Sequence, residues 1–128
     1  MTCSENGNRT PEEAWEALMS GNGRYVRGEM SHPHQAAARR EAVVGRQEPF
    51  AVILGCADSR VPPEVIFDQG LGDLFVIRVA GNVLDTTVIA SAEYAAEHLD
   101  VPILVVLGHS KCGAVTAVTH AVNGTGHA

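Results

Sequence analysis

Residues 50–60 read FAVILGCADSR: an unbroken apolar run that ends on a thiol, a carboxylate, a hydroxyl and a guanidinium. An apolar run of this length, rich in β-formers and without alternation, predicts a strand covered on both faces. The pattern then repeats. VPPEVIFDQGLG (61–72) predicts a short helix entered through proline and ended at glycine, and DLFVIRVAGN (73–82) a second strand. DTTVIASAEYAAEHLD (85–100) predicts an amphipathic helix capped by Asp85 or Thr86. VPILVVLGHS (101–110) predicts a third strand, and CGAVTAVTHAV (112–122) a helix beginning at Cys112. Strands alternating with helices imply an α/β fold, a mostly parallel β-sheet core flanked by helices.

Residues before 47 carry no sheet signal and predict an N-terminal helical arm. In TPEEAWEALMSGNGRYV (10–26) Thr10 can cap and Pro11 suits the first helical position. Glu12 and Glu13 favour the positive helix end, and Gly21 and Gly23 are expected to stop the helix. QAAARREAVVGRQ (35–47) predicts a short second helix before Pro49. A chain of 128 residues is one domain, read as an N-terminal helical arm over 1–46 and an α/β core over 47–128.

A net charge of -6 speaks against nucleic-acid binding, and the basic clusters at Arg24–Arg27 and Arg39–Arg40 read as solvated helix faces. No run approaches the ~18 apolar residues of a membrane span, and no signal-peptide pattern opens the sequence. Three cysteines cannot all pair. The expected setting is therefore a reducing cytoplasm with free or metal-bound thiols. Cys3, in the polar stretch MTCSENGNRT, is not expected to take part.

In parallel sheets, functional groups collect at the carboxyl ends of strands. Cys56 falls at that end of the first strand and His109 at that end of the third, with Cys112 three residues on. A helix N-terminus at Cys112 would favour its thiolate. Each residue alone has a plainer reading: a small buried hydrophobe, a turn histidine, a surface ion pair for Asp58 and Arg60. Their convergence favours a metal. Two thiols and an imidazole suit tetrahedral zinc, and three protein ligands leave one position open, as in catalytic sites. Two thiolates cancel the charge of the ion, so bound water is acidified less than at a three-histidine site. In an extended segment Cys56, Asp58 and Arg60 would share one side. Asp58 could then accept a hydrogen bond from zinc-bound water or ligate zinc itself, with Arg60 as a bidentate latch that keeps the site open.

Together, CADSRVPPEVIFDQGLGDLFVIRVAGN (56–82) and GHSKCGAV (108–115) closely resemble the β-class carbonic anhydrases, from about Gln47 to Val118 and more weakly at GNGRYVRG (21–28). The resemblance implies Cys56, His109 and Cys112 as ligands of one zinc ion per chain, and Asp58 with Arg60 as the catalytic dyad. It implies Gln47 as a donor to bound substrate and Phe75 as a wall of the carbon dioxide pocket. The implied reaction is reversible hydration of carbon dioxide to bicarbonate and a proton, in a homodimer or a dimer-based oligomer. The alternatives are a relative hydrolysing carbonyl sulfide or carbon disulfide, and a non-catalytic zinc- or bicarbonate-binding module. His32, His34 and His98 read as structural histidines rather than proton relays. Some members also bind bicarbonate beside a closed site. Val61 and Arg78 match that pocket, but Ile53 stands where those members have tryptophan. Family chains continue beyond the H-x-x-C helix, so exposed sheet edge and apolar surface are expected here.

Overall fold

The structure, a computed structural model, describes residues 8–124, so Cys3 lies outside it. Three strands, β1 (Ala51–Cys56), β2 (Leu74–Val79) and β3 (Leu104–Val106), form a sheet of order β2-β1-β3. Both pairings are parallel, with Cys56 opposite Val79 and Leu54 opposite Val106. Five α-helices accompany them among the described residues: α1 (Pro11–Arg27), α2 (Ala37–Ala42), α3 (Pro63–Ile66), α4 (Thr86–His98) and α5 (Gly113–Val122). The expected α/β architecture is the observed one.

All six residues of β1 are buried, as its unbroken apolar run predicts. Ala51 and Ile53 meet Ala14 and Leu18 of α1, together with Phe50 and Phe67. Burying side chains such as Leu18, Phe50 and Ile53 stabilises the fold by about 1.5–3 kcal/mol each. The third strand is shorter than its sequence suggests. Ile103, Val105 and Leu107 pack on the core, whereas Leu104 and Val106 on the opposite face stay exposed, as do Val115, Val118 and Val122 of α5.

Helix starts follow the sequence. Thr10 Oγ1 accepts from the Glu13 N–H at 3.1 Å while Glu13 Oε1 accepts from the Thr10 N–H at 3.2 Å, a reciprocal cap. Asp85, rather than Thr86, caps α4 through the Val88 N–H at 2.9 Å. Where α1 stops does not follow. Gly21 and Gly23 lie inside the helix, which ends at Gly28 with φ 70°. A Cβ at Gly21 would collide with the Phe67 carbonyl, so this glycine permits close docking of α1 on the chain after α3. Asn22 Nδ2 donates to the Ile66 carbonyl at 3.1 Å beside it. The glycine serves packing, not termination.

Candidate metal centre

β1 ends at Cys56, and the chain beyond it turns rather than running on extended. The Val61 N–H reaches the Asp58 carbonyl at 3.3 Å. Asp58 Oδ1 accepts from the Arg60 N–H at 2.9 Å, folding the segment back in an Asx turn. Thus Asp58 and Arg60 meet through a turn, not through the period of a strand. The guanidinium closes on the carboxylate with two bonds, Nε to Oδ1 at 3.0 Å and Nη2 to Oδ2 at 2.7 Å. Arg60 Nη2 also donates to the Lys111 carbonyl at 3.0 Å, between His109 and Cys112. The two loops are thereby joined. Lys111 itself adopts a left-handed φ of 56°.

The structure brings Cys56, His109 and Cys112 into one cluster, whose Sγ and imidazole ligand atoms all lie within 4.8 Å of one another. Cys56 Sγ is 3.8 Å from Cys112 Sγ and accepts backbone N–H bonds from Gly81 at 3.2 Å and Asp58 at 3.4 Å. Cys112 sits at the N-cap of α5. His109 Nδ1 lies 2.8 Å from the Ser110 carbonyl, which can only accept. That contact places the proton of a neutral imidazole on Nδ1 and leaves Nε2 with a free lone pair. Nε2 is buried and has no hydrogen-bond partner, and its distance to Asp58 Oδ2 is 3.9 Å. A buried orphan nitrogen facing two thiols calls for an electrophile. This donor set fits zinc.

The electrostatics agree. The imidazole of His109 pulls the Cys56 thiol down to about 6, helped by the Asp58 and Gly81 N–H groups against the effect of burial. No hydrogen bond of ordinary length reaches Nε2, so this pull acts through proximity. His109 is pushed up in return, first by Cys56 and then by the Ser110 carbonyl. The Arg60 guanidinium, followed by the Arg60 N–H, holds Asp58 well below the usual carboxylate range. Asp58 is therefore ionised at neutral pH and can only accept hydrogen bonds.

Gln47 and Phe75 are placed elsewhere in the chain. Phe75 lies opposite Val52, four positions along the ladder from the Val79–Cys56 pair, and its ring is 6.0 Å from that of Tyr94. Gln47 is exposed and lines an open pocket with Tyr94, His98 and Asp100. Both gather around Tyr94, away from the thiols. His98 stacks on Tyr94 at 5.3 Å, and His34 Nδ1 lies 2.7 Å from Asp73 Oδ1. The His32 N–H donates to Asp68. Ile53 is buried in the core under α1, and the Val61 N–H closes a β-turn on the Asp58 carbonyl.

The sequence reading placed Arg78 only beside a bicarbonate pocket and did not single out Gly81, yet both hold the cluster. Arg78 donates from Nε to the Cys56 carbonyl at 2.8 Å and from Nη2 to the Asp58 carbonyl at 2.6 Å. Gly81, at φ 73°, presents its N–H to Cys56 Sγ. The signal for both was the segment RVAGN, a polar and glycine-containing close to a half-buried strand.

Comparison with known proteins gives a consistent result. A family model described as "Carbonic anhydrase" matches residues 51–128. Carbonic anhydrase 2 of Mycobacterium tuberculosis is 54% identical over 116 residues, covering 91% of this chain and 56% of the relative. The chain thus spans about half the length of the curated relatives it matches. Among solved structures, the β-carbonic anhydrase CcaA superposes with a TM-score of 0.63 at 31% identity, over 85% of this chain and 54% of that one. A tetrameric β-carbonic anhydrase of Sordaria macrospora gives 0.60 at 33% identity, over 81% and 53%.

Proposed function

The chain belongs to the carbonic anhydrase family, in its β class, and from that premise we propose that it hydrates carbon dioxide reversibly to bicarbonate and a proton. The residues that would hold one zinc ion per chain are Cys56, His109 and Cys112. The observation that carries this reading is the buried, unpartnered Nε2 of His109, on an imidazole whose ligand atom lies within 4.8 Å of both sulfurs. Zinc bound there supplies Lewis acidity toward water at the coordination position that three protein ligands leave open.

The chain's own residues then have distinct tasks. Ionised Asp58 accepts a hydrogen bond from the attacking water and orients it. Arg60 restrains the carboxylate in two bonds and keeps it from becoming a fourth ligand. Release of that grip is the closed state of the site, because Asp58 Oδ2 already lies 3.9 Å from His109 Nε2. Gln47 as substrate donor and Phe75 as pocket wall fit a homodimer, in which a second copy presents the surface around Tyr94. A cytoplasmic setting goes with this reading, since it keeps both site thiols reduced; no described helix is long and apolar enough to cross a membrane.

One preparation tests these points together: zinc content, mass by sedimentation, and stopped-flow carbon dioxide hydration across alkaline pH. We expect one zinc per chain, a dimer-based mass, and hydration that rises with pH. Zinc without hydration would overturn the activity and leave the site. Full zinc in Cys112→Ser would overturn the ligand assignment.

A further inference from the structure

We propose that Arg78 is a positioning residue, which sets the directions of the Cys56 thiol and the Asp58 carboxylate by locking the backbone that carries them. The proposal rests on the zinc reading above. The parallel ladder between β1 and β2 gives out just past Cys56, where the Ala57 N–H makes a last bond to the Val79 carbonyl at 3.2 Å. From there the chain leaves the sheet, and the carbonyls of Cys56 and Asp58 no longer find partners on a neighbouring strand. One guanidinium serves both, through Nε at 2.8 Å and Nη2 at 2.6 Å. Its nitrogens are held in a rigid plane, so the two peptide groups on either side of Ala57 are fixed relative to each other.

The anchor point is firm. Arg78 lies within β2 opposite Gly55, next to the Val79–Cys56 pair that closes the ladder. Three residues on, the Gly81 N–H bonds Cys56 Sγ at 3.2 Å. The segment RVAGN therefore grips the C-x-D unit at two backbone carbonyls, at the Ala57 N–H and at the sulfur. Charge-assisted bonds of this kind are about twice as strong as neutral ones. A lysine would keep the charge but present a single nitrogen, and would not reproduce the fork. In this arrangement two of the donors of Arg78 are committed to backbone carbonyls rather than turned to a bound anion.

The test compares Arg78→Ala and Arg78→Lys with the unaltered chain, reading Tm, kcat and KM, and the visible spectrum of the cobalt-substituted protein. In Arg78→Ala we expect kcat to fall about 10–100-fold, with KM within about twofold of the original. The thiolate-to-cobalt band should shift, Arg78→Lys should fall between, and millimolar guanidinium ion should restore part of both kcat and spectrum in Arg78→Ala. An unchanged kcat and spectrum would overturn the proposal. So would a loss that follows Tm and does not respond to guanidinium, which would mark a purely structural role. If the unaltered chain fails to hydrate carbon dioxide, the functional reading falls; the cobalt spectrum and its guanidinium response still decide the role of Arg78.

Discussion

Asp58 and Asp68 each pair with an arginine, at 2.7 and 2.6 Å, yet they are held in very different ways. The side chain of Asp68 is 0% exposed and that of Arg24 29%. Besides Arg24, the carboxylate accepts from the Ser31 N–H at 2.9 Å, the Ser31 hydroxyl at 3.2 Å and the His32 N–H at 3.0 Å. It ties α1, the loop after it and the turn after α3 into one body. Burial works against its ionisation, but Arg24 and these donors outweigh burial and hold it down to about 2. Asp58 has a 14% exposed side chain, and its partner Arg60 is 62% exposed. The bonds to its carboxylate all come from Arg60, two residues away. The number of independent anchors separates a pair that builds the fold from a pair that can exchange partners.

The sharpest way to break this comparison is to neutralise the movable pair. Asp58→Asn should lower carbon dioxide hydration about 100- to 10,000-fold while leaving Tm within about 3 °C. A large fall in Tm would show that Asp58 also builds the fold. The mirror experiment is Asp68→Ala, which leaves the Arg24 guanidinium and two backbone donors without their acceptor. Urea unfolding should register a loss of about 3–5 kcal/mol at unchanged m, with one zinc per folded chain retained. A loss below about 1 kcal/mol would place Asp68 among ordinary surface pairs.

Acid gives the smallest and most selective test. The folded-state pKa of Asp68 is depressed from an ordinary 3.8 to about 2. Its contribution is therefore fully present above about pH 4 and is lost as pH falls toward 2. The stability gap between the unaltered chain and Asp68→Ala should be flat at neutral pH and narrow over that window. A gap for Asp68 that persists to pH 2 would assign its role to packing rather than pairing.

Much of the fold was legible because its signals are local. FAVILGC reads as a doubly covered strand, and β1 is one. Thr10, Pro11 and Asp85 mark helix starts through contacts three residues away at most. The convergence of Cys56, His109 and Cys112 was legible because C-x-D-x-R and H-x-x-C fall at the ends of strands that a parallel sheet must align. What escaped depends on contacts distant in sequence. Gly21 looks like a helix stop until the Phe67 carbonyl is placed against it. Arg78 lies 22 residues from the Cys56 carbonyl it serves, and nothing in RVAGN names that target. The turn at Asp58 was misjudged because a short carboxylate can capture the N–H two residues on and override an extended path.

Sheet order carries a last consequence. Cys56 closes β1, Gly81 follows β2 and bonds Cys56 Sγ, and His109 with Cys112 follows β3, so all three strands lead to the cluster. Side chains alternate along a strand, so a slip of one residue in either parallel pairing turns a whole set of them to the wrong face. A slipped β3 would carry His109 and Cys112 out of step with Cys56. A metal held at this cluster, as proposed, would require both pairings in register, so its retention would report on the sheet as well as on the site.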